Sequence, residues 1–399
     1  MRNKKISVNI LSRAIVIALQ LVNIKLYTEV LSIDQLGIFF FILSFSYIFN
    51  AILFVPVESF QQTKVHDEMD RNKSIYKVYL LSKDITVIYF VFTFFVAIFT
   101  YILFDRYLEV VFLSLILSYL IYLVQFLRNS LNNLEYGDFV SSSYIVESIL
   151  KVGIFYFMIK FMMVNELYLL TSWIVSLFLT SLLLLLFATR VRLFNYISTK
   201  KYKVKEIYRF GYPISIGAVF NWAQLQGYRM ILVPLGYAEL VGFYATLSNI
   251  GSSVIGAFSL IYNHQFIPKL YKTKGDTLWS FIAGGILLIT VSIFTFFLAG
   301  EGFINMIVGE GFSQYWWIVS YGILVDGVNL LIGAFSVYIM INGNTFSTIY
   351  PSIVAIVALI LMYSYLYFFE KIEVHTVGIP IIIAQFILAI MLMRLCRKR

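Results

Sequence analysis

The sequence has almost no cysteine and little histidine, and the two shortages remove several classes of protein at once. Its single cysteine, Cys396, rules out an intramolecular disulfide and a metal cluster built on thiolates. The histidines, His66, His264 and His375, stand in separate connecting segments without metal-ligand spacing. No metal or cofactor is expected. Charge is scarce at 13% of residues, and no hydrophilic stretch exceeds roughly 25 residues, which leaves no room for a soluble catalytic domain. Ser/His/Asp groupings, HExxH and paired carboxylates in loops are absent too. "GEGF" occurs twice, at Gly300–Phe303 and Gly309–Phe312, but without a preceding strand or a following Lys-Ser/Thr it is an outer turn and no phosphate loop. The chain reads as a non-enzyme.

What is abundant is apolar. A chain of 399 residues with 60% hydrophobic residues and a mean hydropathy of +0.86 is too apolar for a soluble domain of this length. Apolar runs of about 20 residues recur from end to end, bounded by charges, Gly or Pro, whereas alternating strands of the barrel type are missing. They predict an all-α polytopic membrane protein with about twelve spans: 6–27, 37–57, 84–104, 108–128, 141–163, 167–189, 210–233, 240–262, 278–299, 315–341, 349–369 and 376–393. The first run carries Arg13 and lacks a small-residue cleavage pattern, so it reads as a retained span and not a signal peptide.

An even number of spans puts both ends on one side of the bilayer. The basic residues then sort to that side: Arg2, Lys4 and Lys5, the loops 64–77, 190–209 and 269–274, and Arg394, Arg397, Lys398 and Arg399. The opposite loops hold chiefly Arg106 and Lys371 among many acids. By the positive-inside rule both termini are cytoplasmic, and the formal charge of +9 reports topology and not a nucleic-acid partner. The bilayer itself is the expected partner.

The basic loop 190–209 divides the spans into two sets of six, giving expected lobes at 1–205 and 206–399. The halves resemble each other. After the first span comes "LYTEVLSIDQLGIFFFILSF" and after the seventh "ILVPLGYAELVGFYATLSNI"; each crosses a short acidic turn to a glycine and an aromatic pair, Gly37 with Phe39 and Phe40, and Gly242 with Phe243 and Tyr244. Both copies enter from the same side, so the repeat is parallel and a central cavity is expected between the lobes.

Polar groups inside spans mark candidate sites. Asn9, Ser12, Arg13, Gln20 and Asn23 share one helical face of the first span. An arginine at that depth costs at least ~2.5 kcal/mol and therefore faces a bundle interior or a watery cavity. Arg229 lies in the seventh span near Asn221, Gln224, Gln226 and Tyr228, and Asp326 and Asn329 lie in the tenth. Two readings stand: Arg13 or Arg229 pairs with Asp326 as a structural ion pair, or the arginines bind an anionic headgroup, for which a planar, permanently charged fork of donors is suited. Asp326 is also a candidate for H⁺ or Na⁺ coupling. Glu147 and Lys151, one turn apart with the acid first, are a candidate intramembrane ion pair. Lys25, Arg128 and Lys160 lie near enough to span ends to snorkel.

The segments "NILSRAIVIALQLVNIKLYTEVLSIDQLGIFFF", "LRNSLNNLEYGDFVSSSYIVESILKVGIFYF", "RFGYPISIGAVFNWAQLQGYRMILVPLGYAELVGFYATLSNIGS" and "IVGEGFSQYWWIVSYGILV" resemble polysaccharide biosynthesis proteins of the Wzx-type flippase family, within the multidrug/oligosaccharidyl-lipid/polysaccharide exporter superfamily. Where relatives often show Asp-Arg late in the seventh span, this chain has Tyr228-Arg229, so the arginine alone carries over. The resemblance implies two six-helix lobes that alternate between inward and outward openings. It implies transfer of an undecaprenyl-diphosphate-linked oligosaccharide, an O-antigen or other surface polysaccharide unit, across the bacterial cytoplasmic membrane. Polysaccharide polymerase and glycosyltransferases of the same pathway are the implied partners. The alternatives are a cation-coupled exporter of drugs or metabolites, an integral-membrane polysaccharide polymerase, and a lipid II flippase.

Overall fold

The computed structural model of the chain describes residues 2–104, 108–134, 136–161, 165–196, 202–342 and 345–397, with the side chains of 2–11, 13, 66, 67, 99–104, 108, 257, 260, 261, 264, 265, 268, 271, 345 and 346 outside that description. Among these residues there are thirteen α-helices and no strand: α1 (Arg2–Val30), α2 (Ile33–Phe49), α3 (Val55–Asn72), α4 (Tyr76–Phe104), α5 (Leu108–Asn133), α6 (Gly137–Phe161), α7 (Glu166–Arg190), α8 (Val204–Leu232), α9 (Ala238–Lys272), α10 (Leu278–Ile307), α11 (Val319–Ile341), α12 (Ile349–Phe368) and α13 (Gly378–Arg397). A π-helical turn, Asn50–Phe54, joins α2 directly to α3. Counted as one passage, α2 and α3 bring the number of long helical passages to twelve, each overlapping one expected span. The largest differences are at α3, expected to end at 57 and found to continue to Asn72, and at α9, expected to end at 262 and found to continue to Lys272, with Lys269 and Lys272 in its last turn. A helix need not stop where the hydrocarbon does, and cations favour its C-terminus.

Among the described residues, eight of the twelve passages are long and apolar enough to cross a membrane. The remaining four are α1, α6, α8 and α9; three of these carry the intramembrane charges Arg13, Glu147 with Lys151, and Arg229. The protein is a multi-pass membrane protein.

Local chemistry explains the helices. The Asn165 side chain accepts a hydrogen bond from the Tyr168 amide at 3.0 Å and caps α7, which opens on Glu166 and closes on Arg190, both matched to the helix dipole. Ser172, Ser176 and Thr180 line one stripe of α7 and are fully buried, and small residues let helices approach where water supplies no driving force. Their hydroxyls need partners in that setting: Ser172 donates to the Leu169 carbonyl at 2.6 Å and Ser176 to that of Trp173 at 2.9 Å.

The chain forms two compact units, Met1–Leu19 with Phe41–Val219 and Gln20–Phe40 with Phe220–Arg399, so α1, α2 and α8 each contribute to both. In the first unit α7 packs on α5 and α6, and α3 on α5 and α4. The first half of α8 is fastened there by the π-turn. Val55 donates its N–H to the Asn50 carbonyl, and Pro56 has none to give, which frees the carbonyls of Ala51 and Ile52. Ser215 donates to both, at 2.8 and 3.4 Å. In the second unit α11 packs on α9, α10 and α13, and α12 on α13. The repeat's two glycines meet there reciprocally: a Cβ at Gly37 would lie 1.9 Å from the Ala238 carbonyl oxygen, and one at Gly242 would lie 2.1 Å from that of Ile33. Only glycine permits so close a crossing.

Candidate functional site

A cavity of about 120 Å³ opens inside the second unit between α8, α9, α11 and α13. Its polar lining is Gln226, Tyr228 and Arg229 from α8, Tyr244, Ser248, Asn249 and Ser252 from α9, and Asp326 from α11. α9 and α11 can share this wall because they cross at glycines: a Cβ at Gly322 would lie 1.9 Å from the Ser248 carbonyl oxygen, and one at Gly251 2.0 Å from that of Val319. Polar residues spaced three and four apart on α9 thus fall opposite Asp326.

Arg229 is 5% exposed. Its Nε donates to the Tyr228 hydroxyl at 3.0 Å, and its guanidinium lies 5.2 Å from the centre of the Phe40 ring. Tyr27 and Tyr244 are within its electrostatic reach. Aromatic faces and hydroxyls hold the guanidinium in one orientation, which prepares a planar donor group for an anion. Asp326 accepts from the Ser252 hydroxyl. The arginine and the aspartate line the same cavity, each held by its own neighbours. Gln226 Oε1 is buried without a hydrogen-bond partner among the described residues, so the cavity offers an acceptor as well as a cation and a carboxylate. The space would hold a small headgroup fragment or an ion with a few waters; drug-sized sites are larger, about 300 Å³ and upward.

One turn from the cavity, Gln224 and Gln385 form a buried pair, 1% and 0% exposed. Gln385 Nε2 donates to Gln224 Oε1 at 3.1 Å, leaving Gln224 Nε2 and Gln385 Oε1 without partners among the described residues. One hydroxyl, of water or ligand, satisfies both because it donates and accepts.

The other expected residues fall elsewhere. Gln20 is exposed on α1; Asn23 is buried, its Oδ1 without a partner among the described residues. Asn221 is exposed on α8. Asn9 and Arg13 lie on α1, but their side chains are outside the described residues. In the first unit Glu147 Oε1 is 2.6 Å from Lys151 Nζ and its Oε2 is 2.7 Å from Arg128 Nη1. Arg128, expected to snorkel, is instead 3% exposed: its Nε and Nη2 donate to the Ser143 hydroxyl and carbonyl, both at 3.0 Å, and its guanidinium lies 3.7 Å from the centre of the Tyr144 ring. A partner on the next helix outcompetes the bilayer surface. Lys25, by contrast, is part-exposed near the end of α1, donating at 2.8 Å to the Val308 carbonyl and pairing with Glu29 at 3.0 Å.

Asn249, Ser252 and Gln385 were not singled out from the sequence, and Tyr244 only as part of the repeated turn. Two of these signals were present: "SNIGSS" is a polar run within an apolar span, and Gln385 stands alone among aliphatic residues in "IPIIIAQFILAIML".

No family model and no curated protein matches the sequence. Solved structures do match in fold. A multidrug resistance MATE family transporter of the MOP superfamily in an inward-facing conformation aligns with a TM-score of 0.60 at 13% identity, over 97% of this chain and 94% of that one. One in an outward-facing conformation aligns at 0.57 and 13%, over 99% and 95%. The lipid II flippase MurJ in an inward closed conformation aligns at 0.64 and 11%, over 98% and 86%. The chain has the fold of these MATE transporters and of MurJ.

Proposed function

We propose that the protein is a flippase that carries an undecaprenyl-diphosphate-linked oligosaccharide from the inner to the outer leaflet of the bacterial cytoplasmic membrane by alternating access. The observation that carries this reading is Arg229: a buried guanidinium, oriented by Tyr228 and Phe40, at the wall of a polar cavity within the membrane. A fork of that kind suits a diphosphate better than a neutral or cationic drug. The cavity is too small for the whole substrate and fits the charged group, with the lipid tail left in the bilayer. Arg13 is the second cation assigned to the headgroup, and Asn9, Gln20, Asn23, Asn221 and Gln224 the polar residues along its path. The fold of MurJ, named as a lipid II flippase, and the resemblance of the sequence to Wzx-type proteins support the same class.

The two lobes, 1–205 and 206–399, move about this path, both termini face the cytoplasm, and the pathway's polymerase and glycosyltransferases are its partners. Asp326 takes up H⁺ or Na⁺ to couple the cycle to a gradient. Complementation of a flippase-deficient strain tests the proposal: Arg13→Ala and Arg229→Gln express normally but fail to restore surface polysaccharide. Normal polysaccharide in both variants overturns it.

A second reading, a cation-coupled exporter of drugs or small metabolites, is favoured by the oxygen-rich corner of Asn249, Ser252 and Asp326 and by the MATE fold. A strain lacking the protein then shows altered drug sensitivity, with no accumulation of lipid-linked oligosaccharide in the inner leaflet.

A further inference from the structure

Glu58 stands four residues after the π-turn, in the first turn of α3, which continues through Lys64 and Arg71 to Asn72. It is half-buried. Whereas Glu147 is clamped between two cations, Glu58 has neutral partners: Asn129 of α5 donates to its Oε1 at 2.5 Å, and Gln62, one turn on, at 3.4 Å. Among the described residues no cation pairs with it. A carboxylate in a membrane helix without a counter-ion is costly to keep charged. Its neighbours turn N–H groups toward it, where a metal cation would need a shell of oxygens, so the group the site accepts is a proton.

The surroundings were checked element by element. From α5, Tyr122 is the titratable neighbour, and its hydroxyl is engaged with Gln61 and Ser82. Arg128, beside Asn129 in sequence, is committed to Glu147 and Ser143. From α4 the near group is neutral Ser82, with Lys83 exposed. From α8, Tyr208 bonds the Leu53 carbonyl at 3.4 Å while Glu206 and Arg209 are exposed. On α3 itself Lys64 lies 5.9 Å from the centre of the Phe60 ring; His66, two turns beyond Glu58, has its side chain outside the described residues. Gln62 and Thr63 are exposed.

We propose that Glu58 is a proton-binding site of the first unit, exchanging with the aqueous side that carries the basic loops. Protonation removes the charge from α3, the helix that follows the π-turn to which Tyr208 and Ser215 of α8 are bonded. The site does not depend on what the protein transports.

Infrared titration of the full-length protein in lipid nanodiscs tests this without a substrate. Acid-minus-base difference spectra of the wild type contain a carboxyl C=O band from Glu58, and Glu58→Gln, which keeps shape and the Asn129 contact, loses one carboxyl's share of it. Asn129→Leu removes a donor that favours the charged form, moving the midpoint up by about one pH unit. Replacing sodium by N-methylglucamine leaves the midpoint unchanged. An identical band in Glu58→Gln, or a midpoint unmoved in Asn129→Leu, overturns the proposal; a sodium-dependent midpoint overturns the assignment of the proton as its ligand.

Discussion

The crossing of α9 and α11 can be tested by a change of one methyl group. In Gly322→Ala the new Cβ would lie 1.9 Å from the Ser248 carbonyl oxygen. Carbon and carbonyl oxygen do not settle much closer than about 3.3 Å, so the helices must part by about 1.4 Å there, and both are too well packed to yield without cost. Overpacking of this kind costs about 1–3 kcal/mol, or about 3–10 °C in melting temperature. The control is unusually clean, because Gly256 on α9 and Gly333 on α11 have nothing within 4 Å of their built Cβ. Alanine at those positions gains helix propensity, up to about 1 kcal/mol, and raises the melting temperature or leaves it alone. The same substitution therefore has opposite signs on the same two helices. Thermal unfolding of the four purified proteins, read by intrinsic fluorescence in detergent, decides the matter. A melting temperature for Gly322→Ala at or above wild type refutes the close crossing, and with it the geometry that sets Ser252 against Asp326.

Three further outcomes follow from the packing. Arg128→Met leaves Glu147 with one buried cation where it had two and destabilises the protein by about 3 kcal/mol; a snorkelling arginine, by contrast, would be lost at little cost, and thermal unfolding separates the two. Burial alone would push the Glu68 carboxyl up, but hydrogen bonds from Tyr202 and Asn72 and the Lys77 ammonium outweigh it and hold the group below the usual carboxylate range. Its folded value lies below its unfolded one, so the stabilisation is present above the unfolded value and lost as pH falls through the folded one; Glu68→Gln flattens the melting profile between about pH 5 and pH 3 relative to wild type. Gln385→Leu deletes one member of the buried amide pair and strands Gln224, lowering stability by about 1–3 kcal/mol, whereas Gln385→Leu with Gln224→Leu recovers most of the loss in a double-mutant cycle.

Much of the fold was legible in the sequence because the bilayer imposes a long apolar run on every passage, and twelve such runs can be read with no knowledge of packing. The glycine-and-aromatic turns of Gly37 and Gly242 were legible for a related reason: a close crossing tolerates one residue type, so it leaves a mark in the letters. Arg128 shows where reading failed. Its distance from the end of a span is local information, but the choice between the bilayer surface and Glu147 was made by α6. Asn249, Ser252 and Gln385 left a local mark as polar letters in apolar spans, but which of them face a site depends on residues far along the chain. Arg229 was visible because an arginine at that depth is costly in any arrangement.

The π-turn at Asn50–Phe54 sets the reading frame of everything after it on that passage. A π-turn amounts to one residue inserted into an α-helix, and each residue advances the helical face by about 100°. Deleting a single residue between 50 and 54 would restore regular α-helix and rotate Pro56, Glu58 and Gln61 together, taking Pro56 from Gly211, Glu58 from Asn129 and Gln61 from Tyr122. The insertion is thus a register device: three contacts to two other helices, α5 and α8, depend on the parity of a five-residue segment whose own side chains make none of them.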